Sequence, residues 1–225
     1  MSRISRRVFV AQSAALLSAG RSLFGYESLR ASDLGVQLYT VRSIIDKNPT
    51  EVLQAIQKIG YTEVEAIFAS LHEIWPALKQ TSLQPVSVHI DEAIFMKGGS
   101  DLDSALAEVK QRGFQYVVVP YIPVSERGGV DMFKRLADSL NKAGEKAQAS
   151  GLKLCYHNHA FEYKPLDGGQ MGLEILMNNT QKGIVSLELD IFWASVAGHD
   201  PVELLKTYSG RVLLLHLKDK ARDFT

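Results

Sequence analysis

The chain is 225 residues long and 46% hydrophobic, with 25 basic residues balanced by 25 acidic ones and a single cysteine. This composition excludes a disordered chain and an internal disulfide framework, and the lack of a lysine–arginine stripe beyond the N-terminus excludes the electrostatic footprint of a nucleic-acid binder. Three of the basic residues and none of the acidic ones fall in the first twenty positions, so the remainder is slightly acidic.

At the N-terminus, Arg3, Ser5, Arg6 and Arg7 precede an apolar, small-residue run from Val8 to Ala19 that contains no acidic residue. The run is shorter than the roughly 20 residues that span a bilayer, so no stable membrane anchor is expected from it. A charged start followed by a short apolar stretch is the pattern of an export signal. Ser5-Arg6-Arg7-Val8-Phe9-Val10 resembles the twin-arginine signal of bacteria, which implies a periplasmic or otherwise exported protein. Positions 1–31 are read as this leader and positions 32–225 as one globular domain, with cleavage near Gly20 or later.

From Gly35 onward, short β-branched runs alternate with longer amphipathic segments. Gly35 to Val41 reads as a first strand, and Asn48-Pro49-Thr50-Glu51 opens a helix with apolar positions Val52, Leu53, Ile56 and Ile59, closed by Gly60. Strand Glu63 to Phe68 follows. A helix carrying Ile74 and Leu78 leads to strand Pro85 to Ile90, and a segment with Leu102, Leu106 and Val109 leads to strand Tyr116 to Ile122. A long helix from about Asp131 to Ala149 ends at Gly151, before a fifth strand over Lys153 to His159. Helix Gly172 to Asn178 feeds strand Val185 to Ile191, and Asp200-Pro201 starts the helix that precedes strand Val212 to Lys218.

This rhythm means parallel strands joined by crossover helices. A doubly wound sheet would carry a glycine-rich phosphate turn after its first strand, and Leu38-Tyr39-Thr40-Val41-Arg42 has no glycine. In a barrel, polar functional groups gather at the carboxyl ends of the strands. Gln37, Tyr39, Glu65, His89, Tyr121, His157, His159, Asp190, His216 and Lys218 all lie there, which favours an eight-stranded α/β barrel, a (β/α)8 or TIM barrel.

Tyr156-His157-Asn158-His159-Ala160-Phe161-Glu162 concentrates three groups able to bind metal or move protons within a few residues. By strand alternation His157 and His159 share a face and Asn158 takes the other. On the next strand Ser186, Glu188 and Asp190 share a face, and a buried carboxylate there must be paired, hydrogen-bonded or metal-bound. His216 sits among leucines on the last strand. Singly it reads as a core histidine; beside Asp190 and the His157 to Glu162 cluster it becomes the third corner of a site. Imidazoles and carboxylates converging from successive strands suit a divalent cation such as Zn²⁺, Mn²⁺ or Mg²⁺. Cys155, in the same strand, reads as a small buried apolar residue.

Gly35-Val36-Gln37-Leu38-Tyr39-Thr40-Val41-Arg42, Tyr156-His157-Asn158-His159-Ala160-Phe161-Glu162-Tyr163, Leu187-Glu188-Leu189-Asp190 with Trp193, and Gly210-Arg211-Val212 through His216-Leu217-Lys218-Asp219 together resemble the sugar phosphate isomerase/epimerase group of xylose-isomerase-like barrels. The resemblance runs from about Gly35 to the end. It implies a metal-dependent isomerase, epimerase or dehydratase of a sugar, keto-sugar or polyol, acting by proton abstraction next to a carbonyl. Its partners would be small molecules, and a homo-oligomer is compatible with it.

Carried over residue by residue, the resemblance implies Asp190 and His216 as metal ligands, with His159 or Glu162 completing the shell. His157 stands where relatives often have Glu, and it is expected to act as acid/base or ligand, with Glu162 as a second catalytic candidate. Tyr39, Glu65, His89 and Lys218 are expected to hold substrate hydroxyls. Relatives carry a further Glu ligand on strand eight. This sequence ends at Thr225, just past strand seven, so the expectation is a barrel truncated there. Two other readings stay open: a sugar-binding barrel without turnover, favoured by that missing carboxylate and by Trp193, and a metal-dependent endonuclease.

Overall fold

The structure is a computed structural model and describes residues 34–219; the expected leader lies outside them. Seven strands form one parallel sheet in sequential order: β1 (Gly35–Gln37), β2 (Glu63–Ile67), β3 (Gln84–His89), β4 (Tyr116–Val119), β5 (Lys153–His157), β6 (Val185–Asp190) and β7 (Val212–His216). Helices α1 (Arg42–Ile45), α2 (Pro49–Ile59), α3 (Leu71–Leu78), α4 (Glu92–Lys97), α5 (Gly99–Gln111), α6 (Val130–Ala149), α7 (Gly172–Asn179), α8 (Ile191–Val196) and α9 (Pro201–Thr207) lie between them. Sequential order with parallel neighbours is the order of a (β/α)8 barrel through its seventh strand.

The sheet is curled. In a flat sheet β2 and β7, five strands apart, would be separated by roughly 24 Å at about 4.8 Å per step. Instead Nε2 of His216 on β7 lies 2.8 Å from Oε1 of Glu65 on β2. β2 and β7 thus face each other across a lumen.

Local chemistry sets the helix boundaries. The Asn48 side chain accepts from the Glu51 N–H with Pro49 at the first helical position, and Gly60 ends α2 at φ 112°. Asp91 caps α4 and Asp200 caps α9 in the same way. The last turn of α7 is closed by a buried arginine. Arg211 donates from Nη1 to the Met177 carbonyl at 2.6 Å, and from Nη2 to Thr180 Oγ1 and the Val185 carbonyl, each at 2.7 Å.

Several strands stop earlier than their sequence suggests. The first ends at Gln37, where Leu38–Val41 winds into a 3-10 turn. The fourth ends at Val119, because Pro120 has no N–H to donate to the ladder. The fifth ends at His157, so His159 belongs to the following loop. The seventh ends at His216. The sixth ends at Asp190, which caps α8, a short helix that strand-like Ile191-Phe192-Trp193 conceals.

All six residues of β6 are buried. Leu187 and Leu189 pack outward into the helix layer with Leu154 and Tyr156, while Ser186, Glu188 and Asp190 turn inward. No helix among the described residues is long and apolar enough to cross a membrane.

The outer layer is tightest where α7 meets α6. A Cβ added at Gly172 would stand 2.1 Å from Phe133 Cζ, and Phe133 is itself buried. Gly172→Ala is expected to cost about 1–3 kcal/mol through overpacking, seen as a lower urea midpoint. An unchanged midpoint would mean the Phe133 ring has room to move.

Candidate metal centre

The inward positions of the strands carry a connected set of carboxylates and imidazoles. Glu65, His89, His157, Glu188 and Asp190 are buried, and His216 is partly so. A single oxygen, Oε2 of Glu188, faces three ring nitrogens: His157 Nδ1 at 2.9 Å, His89 Nε2 at 3.0 Å and His216 Nε2 at 3.4 Å. Glu65 supplies a second bridge. Its Oε1 lies 2.8 Å from both His89 Nε2 and His216 Nε2, and its Oε2 accepts from Ser87 Oγ at 2.7 Å. The Gln37 amide holds the far nitrogen of His89, Nδ1, at 3.1 Å.

One layer nearer the strand ends stands Asp190. Its Oδ1 accepts from the Trp193 N–H at 2.9 Å as the cap of α8. Its Oδ2 is 3.8 Å from His157 Nε2 and 3.8 Å from His216 Nδ1, beyond hydrogen-bond length. Asn158, wholly buried, clamps the Asp190 backbone. Its Oδ1 accepts from the Asp190 N–H at 2.9 Å and its Nδ2 donates to the Asp190 carbonyl at 3.2 Å.

Electrostatics follow from this packing. Burial alone would lower the His216 and His89 pKa values, but facing carboxylates win and raise them to about 11 and about 9. Burial pushes the Glu65 carboxyl up, and the charge of His89 with the bond from His216 outweighs it, leaving Glu65 well below the usual carboxylate range. Asp190 is also lowered: burial opposes, while His216 and the Trp193 N–H prevail. His159 goes the other way. Burial first, then the neighbouring His157, depresses it to about 3.

His89, His157, Glu188 and His216 each offer one ligand atom, all within 4.8 Å of one another, a group fit for a divalent cation. Of the residues expected from sequence, His89, Glu65, His157, Asp190 and His216 come together in this lumen. His159 stands beside it. Its ring lies 4.9 Å from His157, 5.1 Å from Tyr121 and 5.3 Å from Trp193, and its buried Nδ1 has no hydrogen-bond partner among the described residues. Lys218 is exposed at the rim, its Nζ 4.2 Å from the Phe192 ring centre. Tyr39 is 53% exposed, with the Arg42 guanidinium 4.1 Å from its ring centre.

Two contributors were not singled out from sequence. Glu188 shares its face with Asp190, and alternation alone could have raised it to equal standing. Asn158 points away from the histidines, so only its complete burial marks it.

No family model matches the chain. Inosose dehydratase of Clostridium beijerinckii is 37% identical over 93 residues, which is 40% of this chain and 30% of that protein. Inosose dehydratase 2 of Bacillus cereus is 31% identical over 124 residues, 53% of this chain and 40% of its own length. The matches thus span less than half of these curated relatives. A sugar phosphate isomerase/epimerase of known structure from Parabacteroides distasonis superposes with a TM-score of 0.74 at 25% identity, over 86% of this chain and 77% of that one. The structural neighbours of this chain include sugar phosphate isomerase/epimerase and xylose-isomerase-like proteins. The IolI protein, solved with a zinc atom, shares the fold at a TM-score of 0.60 and 17% identity, over 82% of this chain and 72% of that one.

Glu162 lies apart from the group of possible ligands. The chain turns through a 3-10 helix at Phe161–Tyr163, which carries the carboxylate to the Tyr156 side of β5, opposite His157. There Oε1 accepts from the Tyr156 hydroxyl at 2.8 Å and Oε2 from the His159 N–H at 2.9 Å. Burial raises its pKa from 4.5 to about 7 despite these bonds. A carboxyl raised on folding favours the folded state below its unfolded pKa, and that contribution is lost as pH rises through the folded value. Relative to Glu162→Gln, the wild type should therefore lose about 3 kcal/mol between pH 4.5 and about 7. Stability curves of the two proteins that run parallel over that range would disprove the shift.

Proposed function

We propose that the chain is part of a metal-dependent isomerase, epimerase or dehydratase acting on a sugar, keto-sugar or polyol. The observation that carries this reading is the pair of 3.8 Å gaps from Asp190 Oδ2 to His157 Nε2 and His216 Nδ1. Such gaps are too long for hydrogen bonds and shorter than the roughly 4.0–4.4 Å that two ligands on opposite sides of one ion would span, so a single cation could bridge each of them. The donor set, two imidazoles and a carboxylate oxygen left free by the helix cap, fits Zn²⁺, Mn²⁺ or another divalent cation. The likeness to inosose dehydratases and the zinc in IolI support the same chemistry.

When bound, the ion would polarise substrate oxygens next to the carbon that gives up its proton. The chain's own residues do the rest. Trp193 and Tyr121 flank His159, their ring centres 5.3 Å and 5.1 Å from its own, and would place aromatic side chains beside a bound sugar. His159 stays neutral because it is buried, and its Nδ1 has no hydrogen-bond partner among the described residues. Lys218 stands at the rim. His89 Nε2 stands between Glu65 at 2.8 Å and Glu188 at 3.0 Å in the floor of the site.

Metal uptake should depend on Asp190 and His216 as one unit. Replacing either by Ala is expected to lower Zn²⁺ occupancy at least about tenfold, and the double replacement little further, since residues of one site are not additive. Equal metal content in the wild type and both variants would remove the site. Turnover of an inosose and a keto-sugar panel by the metal-loaded chain then separates an enzyme from a sugar-binding barrel.

We also infer export by the twin-arginine route, supported by Ser5-Arg6-Arg7 before the apolar run, residues outside those described. Changing Arg6 and Arg7 to Lys should leave the precursor in the cytoplasm; unimpaired export of that variant would refute it.

A further inference from the structure

The rings of His157 and His216 each bridge two tiers of the lumen. Toward the floor they meet Glu65 and Glu188, and toward the strand ends they meet Asp190. A neutral imidazole has one lone pair and one N–H, so it can give a cation only one of its two nitrogens. Which nitrogen that is decides where an ion sits. We infer that Glu65 and Glu188 are positioning residues that set the tautomers of His216 and His157, and thereby direct a single cation to the Asp190 tier.

The hydrogen-bond lengths carry the argument. An ionised carboxylate only accepts, so a ring nitrogen at hydrogen-bond distance from it must bear the hydrogen. His216 Nε2 lies 2.8 Å from Glu65 Oε1, and His157 Nδ1 lies 2.9 Å from Glu188 Oε2. Those two nitrogens are therefore the donors. In the neutral rings that a cation requires, the lone pairs fall to His216 Nδ1 and His157 Nε2, the two atoms that face Asp190 Oδ2. Each ring has a carboxylate behind it and a candidate ion position in front of it, the arrangement that fixes ring orientation and raises ligand basicity in metal sites generally.

The floor is built to stay in place. Glu65 is tied at Oε2 by Ser87 Oγ at 2.7 Å and shares Oε1 with His89 Nε2 at 2.8 Å. His89 is held from behind by Gln37 at 3.1 Å, and its Nε2 stands between the two floor carboxylates. That N–H occupies the place a second ion would need. The competing arrangement puts the ion on the floor instead, among His89, His157, Glu188 and His216, whose ligand atoms lie within 4.8 Å of one another.

The inference rests on the metal reading given above, and its test keeps the two apart. Zn²⁺ is titrated in competition with a chelator against the wild type, Glu65→Gln and Ser87→Ala, and His216 ring nitrogens are followed by ¹⁵N NMR in the Zn²⁺-loaded chain. The expected results are one Zn²⁺ per chain, coordination through His216 Nδ1 with the Nε2 proton retained, and affinity about 10–100-fold lower in Glu65→Gln. Ser87→Ala, which loosens Glu65 without removing it, should show a smaller loss; it and the wild-type spectrum decide the matter if Glu65→Gln does not fold. Coordination through His216 Nε2, two ions per chain, or Glu65→Gln affinity within twofold of the wild type would overturn the inference alone. A wild type that takes up no Zn²⁺ would overturn the metal reading with it.

Discussion

Everything at the centre of this protein depends on one oxygen, Oε2 of Glu188, with three imidazole nitrogens around it. A carboxyl group that is 1% exposed must be hydrogen-bonded or paired, and here the partners come from β3, β5 and β7. Satisfying it requires strands far apart in the sheet to bring side chains to one place. The curl of the sheet and the charge balance of its interior are therefore the same requirement, met a second time by Glu65 between His89 and His216.

Most small barrels fill their interior with branched aliphatic side chains. Here Val118 and Cys155 are buried residues without charge, but the layers above them are polar. The cost of burying those groups is offset within the cluster, where nearly every donor meets an acceptor. What remains unmatched lies toward the strand ends: the open side of Asp190 Oδ2 and the lone Nδ1 of His159. Unspent hydrogen-bonding capacity is thus concentrated where a ligand would arrive, while the loop behind it is held by Asn158 on Asp190 and Glu162 on the His159 N–H.

Much of this was legible in the sequence. The alternation of β-branched runs with amphipathic segments yields the parallel sheet, and the clustering of His89, His157, Asp190 and His216 at strand ends marks the lumen, because side-chain direction on a strand is set by a two-residue period. Strand lengths were harder to read. Leu38-Tyr39-Thr40-Val41 and Ile191-Phe192-Trp193 have strand-like side chains but are overridden by turns, the second because Asp190 caps the next three residues as a helix. Glu162 lies five residues from His157 in sequence, yet after the intervening turn its carboxylate meets the Tyr156 hydroxyl and the His159 N–H. Glu65 was recognised as a strand-end group, but its reach to His216 was not readable, since a contact between β2 and β7 exists only once the sheet has curled.

Asp190 closes a strand, opens a helix and presents an oxygen to two imidazoles, all from one side chain. Anything that draws Oδ2 toward His157 and His216 also selects the rotamer that keeps Oδ1 on the Trp193 N–H. Filling the site and ordering the first turn of α8 then become one equilibrium, and the indole at the mouth of the lumen reports on both. Asparagine at this position would uncouple them, because its amide oxygen can still cap the helix while the negative charge is gone.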